Sequence, residues 1–328
     1  MLIAVNFHYV RPSFSSPYPG IHGITPARLK SQLEMLGRAG TFVSPEQLRE
    51  AVRGGAPLPE RSILVTFDDG LREQVDHALP VLQALGIPAL FLVNTVPLAE
   101  GRVSVVHQIH LLRSSLPPQE FSAWLDRHAS AQGLELDLAE EGGDALHQYR
   151  YDPPEVSRLK YLLNFLLPVD SRGRLVQACF GEMFPGQEAE ISRGLYMGPD
   201  QLRTLGSQGL LGTHAHEHLP LGQLPLGRAE ELIRISVEHL EAWTGRRPFA
   251  LSYPYGGPAS CPAALAAVAA KMGVDFALTM ERAGNPDLTR PHHLGRFDSN
   301  DLPGGSRPLF EIDTLFERVP AAVWPEMS

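Results

Sequence analysis

Three short stretches gather the side chains able to move protons or hold a cation. "TFDDG", Thr66 to Gly70, sets Asp68 and Asp69 side by side directly after the apolar run Ile63–Phe67. Adjacent carboxylates repel, and they repel more in a partly dry site. The pair therefore asks for a cation or for two different roles, unless one Asp simply caps a helix. "THAHEH", Thr213 to His218, places His214, His216 and His218 right after a second apolar run. Histidine is the commonest metal ligand. On a helical turn, positions i and i+4 share one face, about 5–6 Å apart. His214 and His218 would then clasp one ion, and His216 would point elsewhere. The bland alternative is a solvated polar loop. One carboxylate and two imidazoles leave coordination positions open, as a catalytic metal site requires. The second carboxylate can then accept a proton from metal-bound water, and the cation relieves the repulsion within the pair. "SYPYG", Ser252 to Gly256, adds Tyr253 and Tyr255, which either line a substrate site or pack.

These stretches need elements to place them. Leu2–Phe7 reads as a first strand, with polar Asn6, His8 and Tyr9 at its end, and Arg11–Gly23 as a Pro-, Ser- and Gly-rich loop. Thr25 followed by Pro26 opens a helix whose apolar face is Leu29, Leu33, Met35 and Leu36. Thr41–Ser44 is a short strand, and Ser44-Pro45-Glu46 opens a helix through Ala51. Ile63–Phe67 is a buried strand, Leu71–Leu85 a helix closed by Gly86, and Ala89–Val93 a further strand. Strands alternating with helices predict a parallel sheet or barrel. In such a fold, reactive residues sit at the C-terminal ends of strands. The alternation breaks from Ser104 to about Glu190, where helical patterns run without a clear strand. It resumes at Pro199 with strands in "LLGTH", "PFALSYPYG" and "DFALTM". The expected boundaries are 1–103 and 191–303 for the two parts of the barrel, 104–190 for a helical insertion or cap over its mouth, and 304–328 for a tail.

In this order and behind these strands, "TFDDG", H-x-x-x-H at His214–His218 and "SYPYG" resemble the polysaccharide deacetylase family, the NodB-homology domains of carbohydrate esterase family four. The first two motifs lie 145 residues apart, counted from Asp69 to His214. The resemblance covers most of residues 1–300 and is poorest over the helical segment. It implies a distorted (β/α) barrel of seven or eight strands. It implies one divalent ion, zinc with cobalt or nickel as alternatives, held by Asp69, His214 and His218. Asp68 would be the general base in removing N-acetyl, in some members O-acetyl, groups from a carbohydrate. The ion and a backbone N–H near Tyr255 would stabilise the oxyanion.

Three departures from the family pattern matter. Ala215 stands where Ser or Thr is usual. Ser252 stands where an Arg usually braces the catalytic Asp. "TRPHHLGRFDSND" does not match the usual Leu-x-x-His that carries the general acid, so His8, His292 and His293 all remain candidates. The alternation in "LGRFDSND" puts Arg296 on one side with Asp298. If Gly295–Phe297 closes the barrel beside the first strand, Arg296 points at Asp68 and supplies the brace that Ser252 cannot. His107 and His110, three apart on a predicted helix, read as a polar face or a substrate contact.

Composition limits the alternatives. A net charge of −9 over 328 residues argues against nucleic acid or an anionic membrane as partner. No run approaches the ~20 apolar residues that span a bilayer. The N-terminus "MLIAVNFHYVRP" lacks a basic n-region, so a cytoplasmic enzyme on a small or nucleotide-linked sugar is expected. Cys179 and Cys261 read as two buried thiols. Two other functions fit: an amidohydrolase acting on a non-sugar metabolite through the same site, and a non-catalytic carbohydrate-binding protein. No feature sets the oligomeric state.

Overall fold

The computed structural model describes residues 1–14, 21, 23–134, 136, 145–146, 149 and 152–324. Its three longest strands are buried along their whole length: β1 (Leu2–Phe7), β3 (Ser62–Phe67) and β4 (Ala89–Val93). β2 (Thr41–Phe42), β5 (Leu211–Thr213), β6 (Ala250–Ser252), β7 (Phe276–Leu278) and β8 (Arg296–Asp298) are short. Burial on both faces is the mark of a parallel sheet covered by helices, and every named strand pair is parallel. Seven strands run in the order β7-β6-β5-β4-β3-β1-β8, and β2 pairs with the start of β3. A bridge from Leu278 to Leu294 links β7 to the entry of β8, so the barrel is nearly closed.

The period of two along each strand divides the core. Ile3, Val5, Phe7, Ile63, Val65, Phe67, Phe91 and Phe297 pack with Leu29, Leu33 and Leu36 of the helix Pro26–Ala39. Phe7, Phe67 and Phe91 stack at 5.3 and 5.1 Å. The alternate residues Leu2, Ala4, Leu64, Leu90, Leu92, Ala250, Phe276 and Leu278 form a second buried cluster. Continuing these same rows towards the strand ends, the side chains turn polar: Asn6, Thr66, Asp68, His214 and Ser252, all buried. An apolar plug thus underlies a polar layer at the C-terminal ends of the strands, as the alternation of types along each strand dictates.

Local sequence signals place most helices. Thr25 Oγ1 accepts from Arg28 N, with Pro26 at the first helical position. Ser44 and Gln47 form a capping box that opens Pro45–Val52. The strand expected over Thr41–Ser44 stops at Phe42, because Ser44 is taken as that cap. The single helix expected over Leu71–Leu85 contains a π-turn, Gln74–Ala78, before the α-helix Leu79–Leu85 and the left-handed Gly86. Pro80 lacks the N–H that would bond the Asp76 carbonyl, and a widened turn accommodates this.

The chain divides into two compact units: Met1–Pro12 with Gly23–Gly101 and Ser192–Ser328, and Ser13–His22 with Arg102–Ile191. The first is the barrel. The second includes Ser13–His22, which the sequence reading assigned to the barrel. The loop expected over Arg11–Gly23 lies outside the described residues at 15–20 and 22. No strand occurs among the described residues of the second unit. Its helices Val105–Ser115 and Pro118–Ala131 both pack on Val169–Met183. Glu188 there accepts from Val103 N at 3.0 Å and Gln177 Nε2 at 3.1 Å. His107 is fully buried and meets the half-buried His110 edge-on, so the pair is no solvated face. Residues of the tail are tied to the barrel: the N–H groups of Val323 and Trp324 donate to Glu281, and Arg290 donates to their carbonyls.

Candidate metal centre

β1 and β3 run in register to Phe7 and Phe67, so His8 and Asp68 leave the sheet at the same level. Asp68 N still bonds Phe7 O at 3.1 Å. The next residue, Asp69, sits at φ 80°, followed by Gly70 at φ 68°. Left-handed backbone is uncommon outside glycine, and Asp is among the residues that tolerate it. This turn sends the two carboxylates to different neighbours, which is how the chain accommodates them side by side.

Asp68 meets Arg296. Nη1 donates to Oδ1 at 2.8 Å and Nη2 to Oδ2 at 2.6 Å, a two-pronged pair in which both side chains are buried. Arg296 comes from β8, which pairs with β1 through Ala4–Arg296. It also donates to Thr66 Oγ1, Ser252 Oγ and Thr279 O. Asn6 Nδ2 adds a third donor to Asp68, 3.0 Å from Oδ2. Burial opposes ionisation of Asp68, but the charge and hydrogen bonds of Arg296, with help from His214 and His8, hold its carboxyl below the usual carboxylate range. It is an ionised, oriented acceptor at neutral pH. Ser252 stands where an Arg would usually brace this Asp, an absence that would suit a non-catalytic protein. The guanidinium on Asp68 makes up for that absence.

Asp69 meets the histidines. Its Oδ1 lies 3.6 Å from His214 Nε2 and 3.4 Å from His218 Nε2, and one ligand atom from each residue falls within 4.8 Å of the other two. Ligands about 2.0–2.2 Å from one tetrahedral ion stand roughly 3.3–3.6 Å apart. His214 Nδ1 lies 2.8 Å from Ser252 O and 2.7 Å from Ser252 Oγ. A carbonyl only accepts, so the proton is on Nδ1 and the Nε2 lone pair faces Asp69. Donor types, spacing and tautomer all fit one divalent cation. Among the described residues this is the one group of three such side chains so arranged.

The loop that carries the histidines is not the helical turn expected from their spacing. Ala215 stands at φ 61°. The loop is pinned by its backbone: His214 N to Val93 O, His216 N to Leu232 O, and the N–H groups of Thr95 and Val96 to His216 O. Main-chain bonds to neighbouring elements override local helical preference here, and the left-handed residue returns His218 to the side of His214. His216 points away. Its Nδ1 meets Thr95 Oγ1 at 2.8 Å, its Nε2 meets Glu100 at 3.2 Å, and its ring touches His239 edge-on.

The aromatic and acid candidates separate as well. Tyr255, half-buried at φ 64°, packs edge-on against His218 at 4.9 Å and borders the centre. Tyr253 does not line a substrate site: it is fully buried, its hydroxyl donates to His292 O, and its ring stacks on His293. His292 Nε2 is spent on Val274 O and His293 Nε2 on Cys261 O. Burial also lowers the His293 pKa, leaving a neutral ring. His8 is different: its Nε2 lies 3.3 Å from Asn6 Nδ2, the same amide that holds Asp68. The sequence reading noted Asn6 as a polar strand end without giving it a partner, and it passed over Thr66 and Gln74. For Asn6 and Thr66, polar types at inward positions of buried strands were the available signal.

A family model described as polysaccharide deacetylase matches residues 55–123, the stretch that holds the Asp pair. The poly-beta-1,6-N-acetyl-D-glucosamine N-deacetylase of Escherichia coli strain K12 is 34% identical over 90 residues. That alignment covers 27% of this chain and 13% of the relative's length. Among solved structures, the Streptococcus pyogenes deacetylase PplD in complex with acetate superposes with a TM-score of 0.54 at 13% identity, over 90% of this chain and 91% of that one. IcaB from Ammonifex degensii gives 0.52 at 19% identity, over the same shares of 90% and 91%. At these identities the solved structures show that the chain shares their barrel fold. The buried Asp69, His214 and His218 stand at the strand ends of that barrel.

Proposed function

We propose that this chain is a metal-dependent hydrolase that removes acetyl groups, N-linked and in some substrates O-linked, from a carbohydrate. One observation carries the reading: two adjacent buried carboxylates with separate neighbours, Asp68 held ionised by Arg296 and Asp69 facing two imidazoles. A divalent ion held by Asp69, His214 and His218, zinc in the first instance, would supply the charge that acidifies water and polarises an acyl carbonyl. Asp68 accepts the proton of the attacking water at Oδ1 or Oδ2. Arg296 and Asn6 keep that carboxylate oriented and ionised. The backbone N–H of Tyr255 donates to the carbonyl oxygen as charge develops there. His8 Nε2 shares the Asn6 amide with Asp68; it takes up the proton that Asp68 received as Nδ1 gives its own to the leaving nitrogen, so the ring begins and ends neutral.

The substrate named for the curated relative makes β-1,6-linked N-acetylglucosamine oligomers the first compounds to test. Purified protein incubated with them should release acetate, lose that activity to a chelator, and regain it with zinc, cobalt or nickel. Release from a non-sugar N-acyl amide but from no glycan would replace this reading with an amidohydrolase. No release from either, with the ion bound, would leave a binding protein.

A further inference from the structure

Gln74 is fully buried, although it carries a side-chain amide and opens the π-turn that follows the Asp pair. Its Nε2 donates to Asp68 O at 2.6 Å and to His8 O at 3.0 Å. Both partners are main-chain carbonyls, which only accept, so the amide nitrogen must face them. They are also the first two carbonyls beyond the β1–β3 ladder, whose last bond is Asp68 N to Phe7 O. The ladder cannot continue, because Asp69 turns into left-handed conformation. The buried Asp68 carbonyl and the partly buried His8 carbonyl would then face each other without donors, and leaving a buried group so costs about 1–3 kcal/mol.

We propose that Gln74 is a positioning residue: one side-chain amide clamps the ends of β1 and β3 together and so sets the separation between His8 and Asp68, the acid and base of the reaction above. This inference rests on the deacetylase reading. Asn6 makes the matching bond between the two side chains, donating to Asp68 Oδ2 and to His8 Nε2. That amide reaches both only while the strand ends stay together. The π-turn serves the same end: Leu79 N bonds Gln74 O across its widened ring, and Gln74 is left beneath the Asp68–Asp69 turn. Gln74 touches none of Asp69, His214 or His218 among the described contacts, so the cation site should not depend on it.

The test uses Gln74→Met, which keeps the shape and removes the donor, and Gln74→Glu, which replaces the donor by an acceptor. Three readouts are taken on the whole 328-residue chain: kcat and KM for acetate release, zinc affinity by calorimetry, and a crystal structure of the Met variant. The clamp predicts a fall in kcat of about 10- to 100-fold, since misplacement by an ångström costs about that much. It predicts the larger fall in Gln74→Glu, KM within about twofold, and zinc affinity unchanged. It also predicts a structure in which Asn6 no longer reaches both His8 and Asp68. Wild-type kcat in Gln74→Met, or an intact His8–Asn6–Asp68 contact in its structure, overturns the clamp. Should the wild type release no acetate, the deacetylase reading fails, and the structure of the Met variant alone decides the clamp.

Discussion

Asp68 and Arg296 are 228 positions apart, yet they form the shortest buried ion pair of the centre. Removing the guanidinium alone would leave a buried carboxylate uncompensated, a change that costs about 3–5 kcal/mol. Arg296→Lys is the gentler probe, because an ammonium keeps the charge and loses the fork. Its expected outcome is lower kcat with zinc affinity retained, read by steady-state kinetics beside calorimetry. Asp68→Asn should lower kcat by about 10²–10⁴ and still bind zinc, as loss of a general base does. Loss of zinc with turnover per bound ion intact would reverse the roles of the two Asp. Glu73 gives a pH prediction. Burial pushes its carboxyl up to about 7, against the pull of Arg11. The folded state therefore holds a proton that the unfolded chain releases near its ordinary value of about 4.3. The stability linked to that proton is complete below that value and is lost as pH rises through about 7. Thermal melts of metal-free protein from about pH 5 to 7.5 should show a steeper loss for the wild type than for Glu73→Gln.

The turn after β3 has to fit against β4. A Cβ on Gly70 would fall 2.8 Å from Val93 Cγ1, at a φ of 68°. Left-handed conformation costs an ordinary residue about 1–2 kcal/mol, and the clash adds to that. Gly70→Ala is thus expected to lower the melting temperature and also the zinc affinity, since Asp69 precedes it. Equal zinc affinity in a destabilised variant would show that the Asp69 turn holds without this close approach. The histidine loop works on the same principle, with Ala215 in the left-handed position and its backbone bonds running to β4, to the helix Leu226–Thr244 and to Thr95–Val96. In both turns left-handed backbone redirects a side chain of the candidate cation site.

The barrel draws its three cation-facing residues from two separated stretches of chain, so the ion would hold them together. Ligand that binds only the folded state stabilises it by about 2.7 kcal/mol at one hundred times Kd. Zinc should therefore raise the melting temperature of the wild type and leave that of His214→Ala unchanged. An equal shift in both proteins would place the ion somewhere else. The nearly closed sheet also explains the origin of the brace. With β8 beside β1, a side chain from the last strand reaches the carboxylate that follows β3, while Ser252 on β6 stays small and links Arg296 to His214.

Much of this was legible in the residues alone. Strand ends, helix caps and the parallel alternation follow from local rules of period, Pro and Gly placement and capping, and the Asp pair and histidines announced a cation by type and spacing. The side on which Arg296 stands came from alternation along one strand. Other features depended on the assembled barrel. The histidine spacing pointed to a helical turn, but backbone bonds to three other elements and the positive φ of Ala215 made an irregular loop. Tyr253 looked like a substrate contact until burial and His292 O claimed it. Of the three acid candidates, only His8 came to share an amide with Asp68. Those outcomes are set by strand order and register, which join residues tens to hundreds of positions apart. Side-chain type and spacing state what a residue can do, and only the tertiary contacts decide which neighbour it does it with.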